Sequence, residues 1–153
     1  ELMSGFASKH SVSISVNYGV DSAIVLGNSD RIAQVLTNFL SNAIKFSPVG
    51  AQILVTMQAN GDNLRVSVQD KGPGIPDEQR KFLFKPFAQL RPADGKKREG
   101  TGLGLAIVAA ILARLEYPVG VNSAVGRGTE FFFDVPKSQI LHLESRKIAN
   151  GGM

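Results

Sequence analysis

The chain has 153 residues, 43% hydrophobic and 20% charged, with 17 Lys and Arg against 13 Asp and Glu for a formal net charge of +4. That is enough apolar material for the core of one ordinary domain, while the absence of Cys excludes a disulfide framework, a Cys-ligated zinc and a thiol nucleophile. The charge could suggest nucleic acid, but the basic residues are mostly dispersed apart from the short run Lys96, Lys97, Arg98, and a phosphate-bearing small ligand or an acidic protein partner explains it as well.

The N-terminal ELMSGFASKH lacks a signal-peptide core, and no apolar run approaches the ~18 residues of a membrane helix. The chain opens on Glu1 rather than Met, as an excised piece of a longer protein would. Val12, Ile14 and Val16 alternate with polar residues as in a half-buried strand, and AIVL (23–26) reads as a second, shorter strand. From Ser29, a good helix cap, Ile32, Val35, Leu36, Phe39, Leu40, Ala43 and Phe46 recur at the three-and-four spacing of one buried helical face. SPVG (47–50) ends that helix. Ile53/Val55/Met57 and Leu64/Val66/Val68 then alternate on either side of ANGDN (59–63), the signature of an antiparallel hairpin.

After the glycine-rich DKGPGIP (70–76), Pro76, Asp77 and Glu78 suit the start of a short helix near 77–83. RPADGKKREG (91–100) has no periodicity, carries four basic residues and reads as a lid-like loop. A second strong helix is expected from Leu103 to Leu115, and Val119, Val121, Phe131, Phe133 and Val135 supply two last strands. The domain is therefore expected over residues 1–136, with 137–153 as a tail or linker.

The chemistry lies beside the helix core. At about 100° per residue, Asn38, Asn42 and Lys45 fall within roughly 60° of one another, on a stripe bordering the apolar face. Asparagine is less favourable than alanine in a helix by up to about 0.7 kcal/mol, so two in mid-helix call for a reason: either a solvated polar flank or a ligand wall. An amide oxygen suits Mg²⁺ carried by phosphates, and an ammonium neutralises phosphate charge. Asp70 ends a strand before Lys71, Gly72, Pro73 and Gly74; its carboxylate either closes an Asx turn or accepts the exocyclic amine of adenine. Thr101, Gly102 and Gly104 open a helix, where N–H groups and the dipole favour phosphate, although small residues there also serve close helix packing. The Walker phosphate loop is absent, and GTGLGL (100–105) lacks the spacing of the dinucleotide fingerprint.

In their order, RIAQVLTNFLSNAIKFS, DKGPGIP, LFKPF, GTGLGLAI and GRGTEFFF resemble the asparagine, glycine and phenylalanine boxes of the catalytic and ATP-binding domain of sensor histidine kinases. That domain belongs to the superfamily of gyrase, Hsp90 and MutL, and the resemblance runs from about residue 8 to 136. It implies an α+β fold, a two-layer α/β sandwich of the Bergerat type with a mixed, mainly antiparallel sheet under three main helices, binding ATP and Mg²⁺ beneath a lid. Carried over, Asn42 would hold the metal; Asn38 and Lys45 would meet phosphates; Asp70, Gly72, Gly74 and Ile75 would form the adenine wall, with Thr129 reaching the base directly or through water. Lys97, Arg98, Gly100, Thr101, Gly102 and Gly104 would form the phosphate side, Leu103 and Leu105 packing below, and Phe84 and Phe87 would anchor the lid.

Where the family's ATPases place a water-activating Glu, this chain has the amide Asn38, which cannot act as a general base; that argues for transfer over hydrolysis. His10 and His142 do not resemble the phosphoacceptor, which in the family sits on a separate dimerisation hairpin. The resemblance thus implies a cytoplasmic domain with that hairpin and a response regulator as partners, and without nucleic-acid or direct membrane contact. A regulatory nucleotide-binding module, an anti-sigma-factor-type serine kinase and a hydrolytic ATPase stay open as other readings. One departure is visible: Leu115, Glu116, Tyr117, Pro118 stand where such kinases usually end the helix on a glycine pair.

Overall fold

The computed structural model describes residues 4–9, 11–86 and 103–145. Helix α1 (Ser4–Lys9) leads into strands β1 (Ser13–Tyr18) and β2 (Val20–Val25), followed by the long helix α2 (Ser29–Phe46). Strands β3 (Gln52–Asn60) and β4 (Asn63–Gln69) precede the short α3 (Asp77–Arg80); α4 (Gly104–Leu115), β5 (Val119–Ala124), β6 (Gly128–Val135), a 3-10 turn (Lys137–Gln139) and β7 (Ile140–Ser145) complete the order.

Five strands form one sheet in the order β1-β3-β4-β6-β5, and β2 pairs with β7 in a separate two-stranded sheet. Only β1 and β3 run parallel within the five. The parallel pair needs a crossover, and α2 supplies it. The alternating residues fall as their period demands: Ile53, Leu64, Val68, Phe131 and Phe133 are buried on the helix-facing side. Against them α2 turns Val35, Phe39, Ala43 and Ile44, and α4 turns Leu105, Val108, Ile111 and Leu112. Phe39 is fully buried and stacks on Phe131 with centroids 5.4 Å apart, so its truncation to Ala would cost about 3–5 kcal/mol. The opposite face is polar: the Arg65 guanidinium binds Asp134 through two hydrogen bonds of 2.8 and 2.9 Å and lies over the Phe132 ring.

Several local expectations shift. The cap of α2 is Asn28, not Ser29: the Asn28 side chain accepts from the Arg31 N–H at 3.1 Å. The helix after Pro76 spans only Asp77–Arg80 and passes into turns, and α1 precedes the first expected strand. Residues 140–145, expected within a tail, form β7 against β2, with Ile24 opposite His142. At the end of α4, Glu116 takes φ 60°, a left-handed conformation usual for glycine. The N–H of Tyr117 then bonds to the Leu112 carbonyl at 2.9 Å, so the helix closes without the glycine pair. The Tyr117 ring stacks on Phe133, its hydroxyl donates to the Leu26 carbonyl, and burial raises its pKa above the usual tyrosine value. This single side chain ties the end of α4 to the entry of α2. No helix among the described residues is long and apolar enough to cross a membrane.

Candidate functional site

The register of β4 on β6 places the two most buried polar groups of the cleft side by side. Gln69 pairs with Glu130, so the next step along each strand brings Asp70 to Thr129, and the Asp70 N–H bonds to the Thr129 carbonyl at 2.8 Å. Asp70 is 3% exposed and Thr129 5%. The Asp70 Oδ1 accepts from the Gly72 N–H at 2.8 Å and from the Thr129 N–H at 3.2 Å. The Asx turn and the ligand reading are therefore compatible: one oxygen fixes the loop, and the carboxylate still borders a recess lined by Phe46, Asp70, Pro73, Gly74, Ile75, Thr129 and Phe131.

The loop over this recess is pinned to the turn between β5 and β6. Gly126 N–H bonds to the Pro73 carbonyl at 2.9 Å, and Ile75 N–H bonds to the Ser123 hydroxyl at 2.8 Å. Gly74 has φ 82°, and a Cβ there would stand 2.2 Å from the Ala124 carbonyl oxygen. Only glycine satisfies both conditions. Ser123 and Tyr117 did not emerge as site-supporting residues from the sequence. The signal for Ser123 is its place directly across from Thr129 in the hairpin register.

Asn38, Asn42 and Lys45 are all half-buried on α2, bordering its buried face as the periodicity requires. The Asn38 Nδ2 donates to the Gln34 carbonyl at 3.0 Å, while its Oδ1 faces Gly104 of α4. That oxygen would lie 2.9 Å from a Cβ on Gly104, so the asparagine stripe meets the first turn of α4 with no room for a side chain between them. Leu103, at the N-terminus of α4, makes no side-chain cap, and the first turn of the helix carries no acidic residue, so the positive end of the helix dipole is not offset there by a carboxylate. Leu105 is buried beneath this turn, and Leu103 and Gly104 are half-buried. Phe84 meets Phe131 edge-on at 6.3 Å, connecting the segment after α3 to a residue that lines the recess. Lys97, Arg98, Gly100, Thr101 and Gly102, together with Phe87 and His10, lie outside the described residues.

The donor set bears on the expected metal. Among the described residues no group of three or more His, Asp or Glu side chains could hold an ion by itself. An amide at Asn42 is a hard oxygen ligand of the kind that completes the shell of Mg²⁺ arriving with waters and phosphates, so the residues fit a metal delivered with its nucleotide.

The family described as "Histidine kinase-, DNA gyrase B-, and HSP90-like ATPase" matches residues 27–139. Sensor histidine kinase RcsC of Salmonella typhimurium is 38% identical over 110 residues, which are 72% of this chain and 12% of that protein. This chain therefore spans about an eighth of the length of that relative. Full-length ShkA, crystallised in complex with AMPPNP, superposes with a TM-score of 0.76 at 33% identity, over 95% of this chain and 28% of that one. Histidine kinase ThkA, in a complex with the response regulator protein TrrA, gives a TM-score of 0.71 at 27% identity, covering 89% of this chain and 37% of the other.

Proposed function

The chain belongs to the histidine kinase-, DNA gyrase B- and HSP90-like ATPase family, and from that premise we propose that it is the ATP-binding catalytic domain of a two-component sensor histidine kinase. It would transfer the γ-phosphate of ATP to a histidine on a separate dimerisation domain, for onward passage to a response regulator. The observation that carries the reading is the meeting of two unlike walls: a buried carboxylate and hydroxyl at the sheet end, and an amide stripe pressed against a helix N-terminus.

In this reading Asp70 receives the exocyclic amine of adenine, while Gly72, Gly74 and Ile75 form the wall against which the base lies and Thr129 completes its edge. Asn38, Lys45 and the first turn of α4 meet the phosphates; Lys97, Arg98, Gly100, Thr101 and Gly102 would close that side. Asn42 would hold Mg²⁺, whose charge supports the phosphates during transfer. The chain's own contribution is positioning and charge neutralisation, which is most of what phosphoryl transfer requires of a protein. Asn38 favours transfer over hydrolysis, because an amide tied to the Gln34 carbonyl cannot take a proton from water.

The test combines this chain with [γ-³²P]ATP, Mg²⁺ and a histidine-bearing dimerisation hairpin from the parent protein. Acid-labile, alkali-stable phosphate on the hairpin is the expected product. Acid-stable phosphate would instead assign a serine kinase, free phosphate released by the chain alone an ATPase, and tight ATP binding without either product a regulatory module.

A further inference from the structure

Resting on the adenine-pocket reading, we infer that Ser123 is the residue that sets the polarity of the Thr129 hydroxyl and thereby the preference of the base recess for a 6-amino over a 6-oxo purine. Ser123 is not part of the recess wall. It stands directly behind Thr129, its partner in the β5–β6 ladder.

The argument is one of hydrogen counting. A serine hydroxyl has one hydrogen to donate and two lone pairs to accept with. The Ser123 Oγ contacts three groups: the Ile75 N–H at 2.8 Å, the Gly128 carbonyl at 3.0 Å and the Thr129 Oγ1 at 2.8 Å. Ile75 N–H only donates, and the Gly128 carbonyl only accepts. The single Ser123 hydrogen is therefore committed to Gly128, and its two lone pairs receive the hydrogens of Ile75 and Thr129. All three contacts are hydrogen bonds only in this arrangement. With its hydrogen turned back toward Ser123, the Thr129 oxygen has lone pairs alone to offer the recess, beside the carboxylate of Asp70.

Two acceptors at one end of a slot favour a ring edge that donates. The 6-amino group of adenine does so; the 6-oxo group of hypoxanthine or guanine would place an oxygen against oxygens, leaving polar groups unpaired in a buried place. Without the Ser123 oxygen, the Thr129 hydroxyl can rotate and donate into the recess, so the site would lose part of its discrimination while keeping Asp70 and its phosphate wall. Ser123 thus positions a specificity group without touching the ligand.

The test measures dissociation constants of Mg²⁺–ATP and Mg²⁺–ITP for the whole chain and for Ser123→Ala, Ser123→Thr and Thr129→Val, with thermal melting as the fold control. Ser123→Ala is expected to lower the ITP-to-ATP ratio of dissociation constants about tenfold, the worth of one hydrogen bond, and Ser123→Thr to restore it. In the Thr129→Val background the same Ser123→Ala change should leave the ratio where it was. Equal weakening of both nucleotides with an unchanged ratio would make Ser123 a loop tether only and overturn the inference while sparing the nucleotide reading. Binding of neither nucleotide by the folded parent chain would overturn both. Should Ser123→Ala fail to fold, Ser123→Cys, a weaker acceptor, carries the measurement with a smaller expected fall, and an unchanged ratio there also overturns it.

Discussion

The two ends of the cleft are built from different material. At the base end, buried backbone and small polar side chains at the ends of β4, β5 and β6 bond to one another: Asp70 holds Gly72 and Thr129, and Ser123 holds Ile75, Gly128 and Thr129. At the proposed phosphate end the wall is a row of half-buried amides and an ammonium on α2, with Asn38 against Gly104 in the first turn of α4. The first is rigid before any ligand arrives, because strand register fixes its groups. The second depends on side chains and a helix end whose value is realised by an anion. A base needs a shape; a metal triphosphate needs charge that can follow it.

The contrast is sharpest in two glycines. A Cβ at Gly74 would meet the backbone oxygen of Ala124, whereas a Cβ at Gly104 would meet the side-chain oxygen of Asn38. Backbone in a sheet cannot yield, and φ 82° at Gly74 adds strain for any other residue. We expect Gly74→Val to destabilise the fold by about 3 kcal/mol, measured by urea unfolding. Gly104→Ala should cost under about 1 kcal/mol of stability yet weaken triphosphate binding by displacing Asn38. Similar stability losses at the two positions would erase the distinction.

Asp70→Asn should weaken ATP by about 30- to 100-fold, equivalent to ~2–3 kcal/mol for a hydrogen bond to a charged group, while affinity for a triphosphate bearing a different base falls far less. Equal losses for all nucleotides in competition binding would contradict the adenine assignment. At the other end, Asn42→Ala should act through the metal. ATP at about 100 times its dissociation constant stabilises a folded chain by roughly 2.7 kcal/mol; Asn42→Ala should remove the Mg²⁺-dependent part of the melting shift and keep the remainder. Retention of the full Mg²⁺ dependence would count against Asn42 as the ligand.

A further effect, on stability alone, concerns the tie between α4 and α2. Burial raises the Tyr117 phenol above its ordinary value, near ~10, so the folded state resists an ionisation that the unfolded chain accepts. Its contribution to stability is complete below the unfolded pKa and is lost as pH rises from there through the folded one. Tyr117→Phe should cost about 1 kcal/mol at neutral pH by losing the bond to Leu26, and the alkaline fall in stability should be shallower than in the parent chain. Identical slopes above pH 10 in urea unfolding would contradict this.

Legibility followed the same division. The α2 stripe could be read because helical periodicity is local, and ANGDN announced the β3–β4 hairpin for the same reason. The carboxylate of Asp70 was visible through its glycines, although its neighbour Thr129 is fixed by strand register across a separation of 59 residues. Ser123 was not visible: serine near a turn is unremarkable until Ile75, Gly128 and Thr129 converge on it. β7 escaped for a related reason, since its partner β2 lies more than 100 residues earlier and a period of two does not name the partner strand. Asn28 and Ser29 are both good caps, and only the bond to the Arg31 N–H decides between them. Glu116 in a left-handed turn shows that helix closure can override the preference for glycine when Tyr117 anchors the next residue in the core.

The most direct test is calorimetric titration of the folded chain with ATP, with saturating Mg²⁺ and again in chelator. We expect one site per chain, with heat in both conditions and weaker binding once the metal is removed. No heat of binding under either condition, with melting and circular dichroism confirming the fold, would contradict the account.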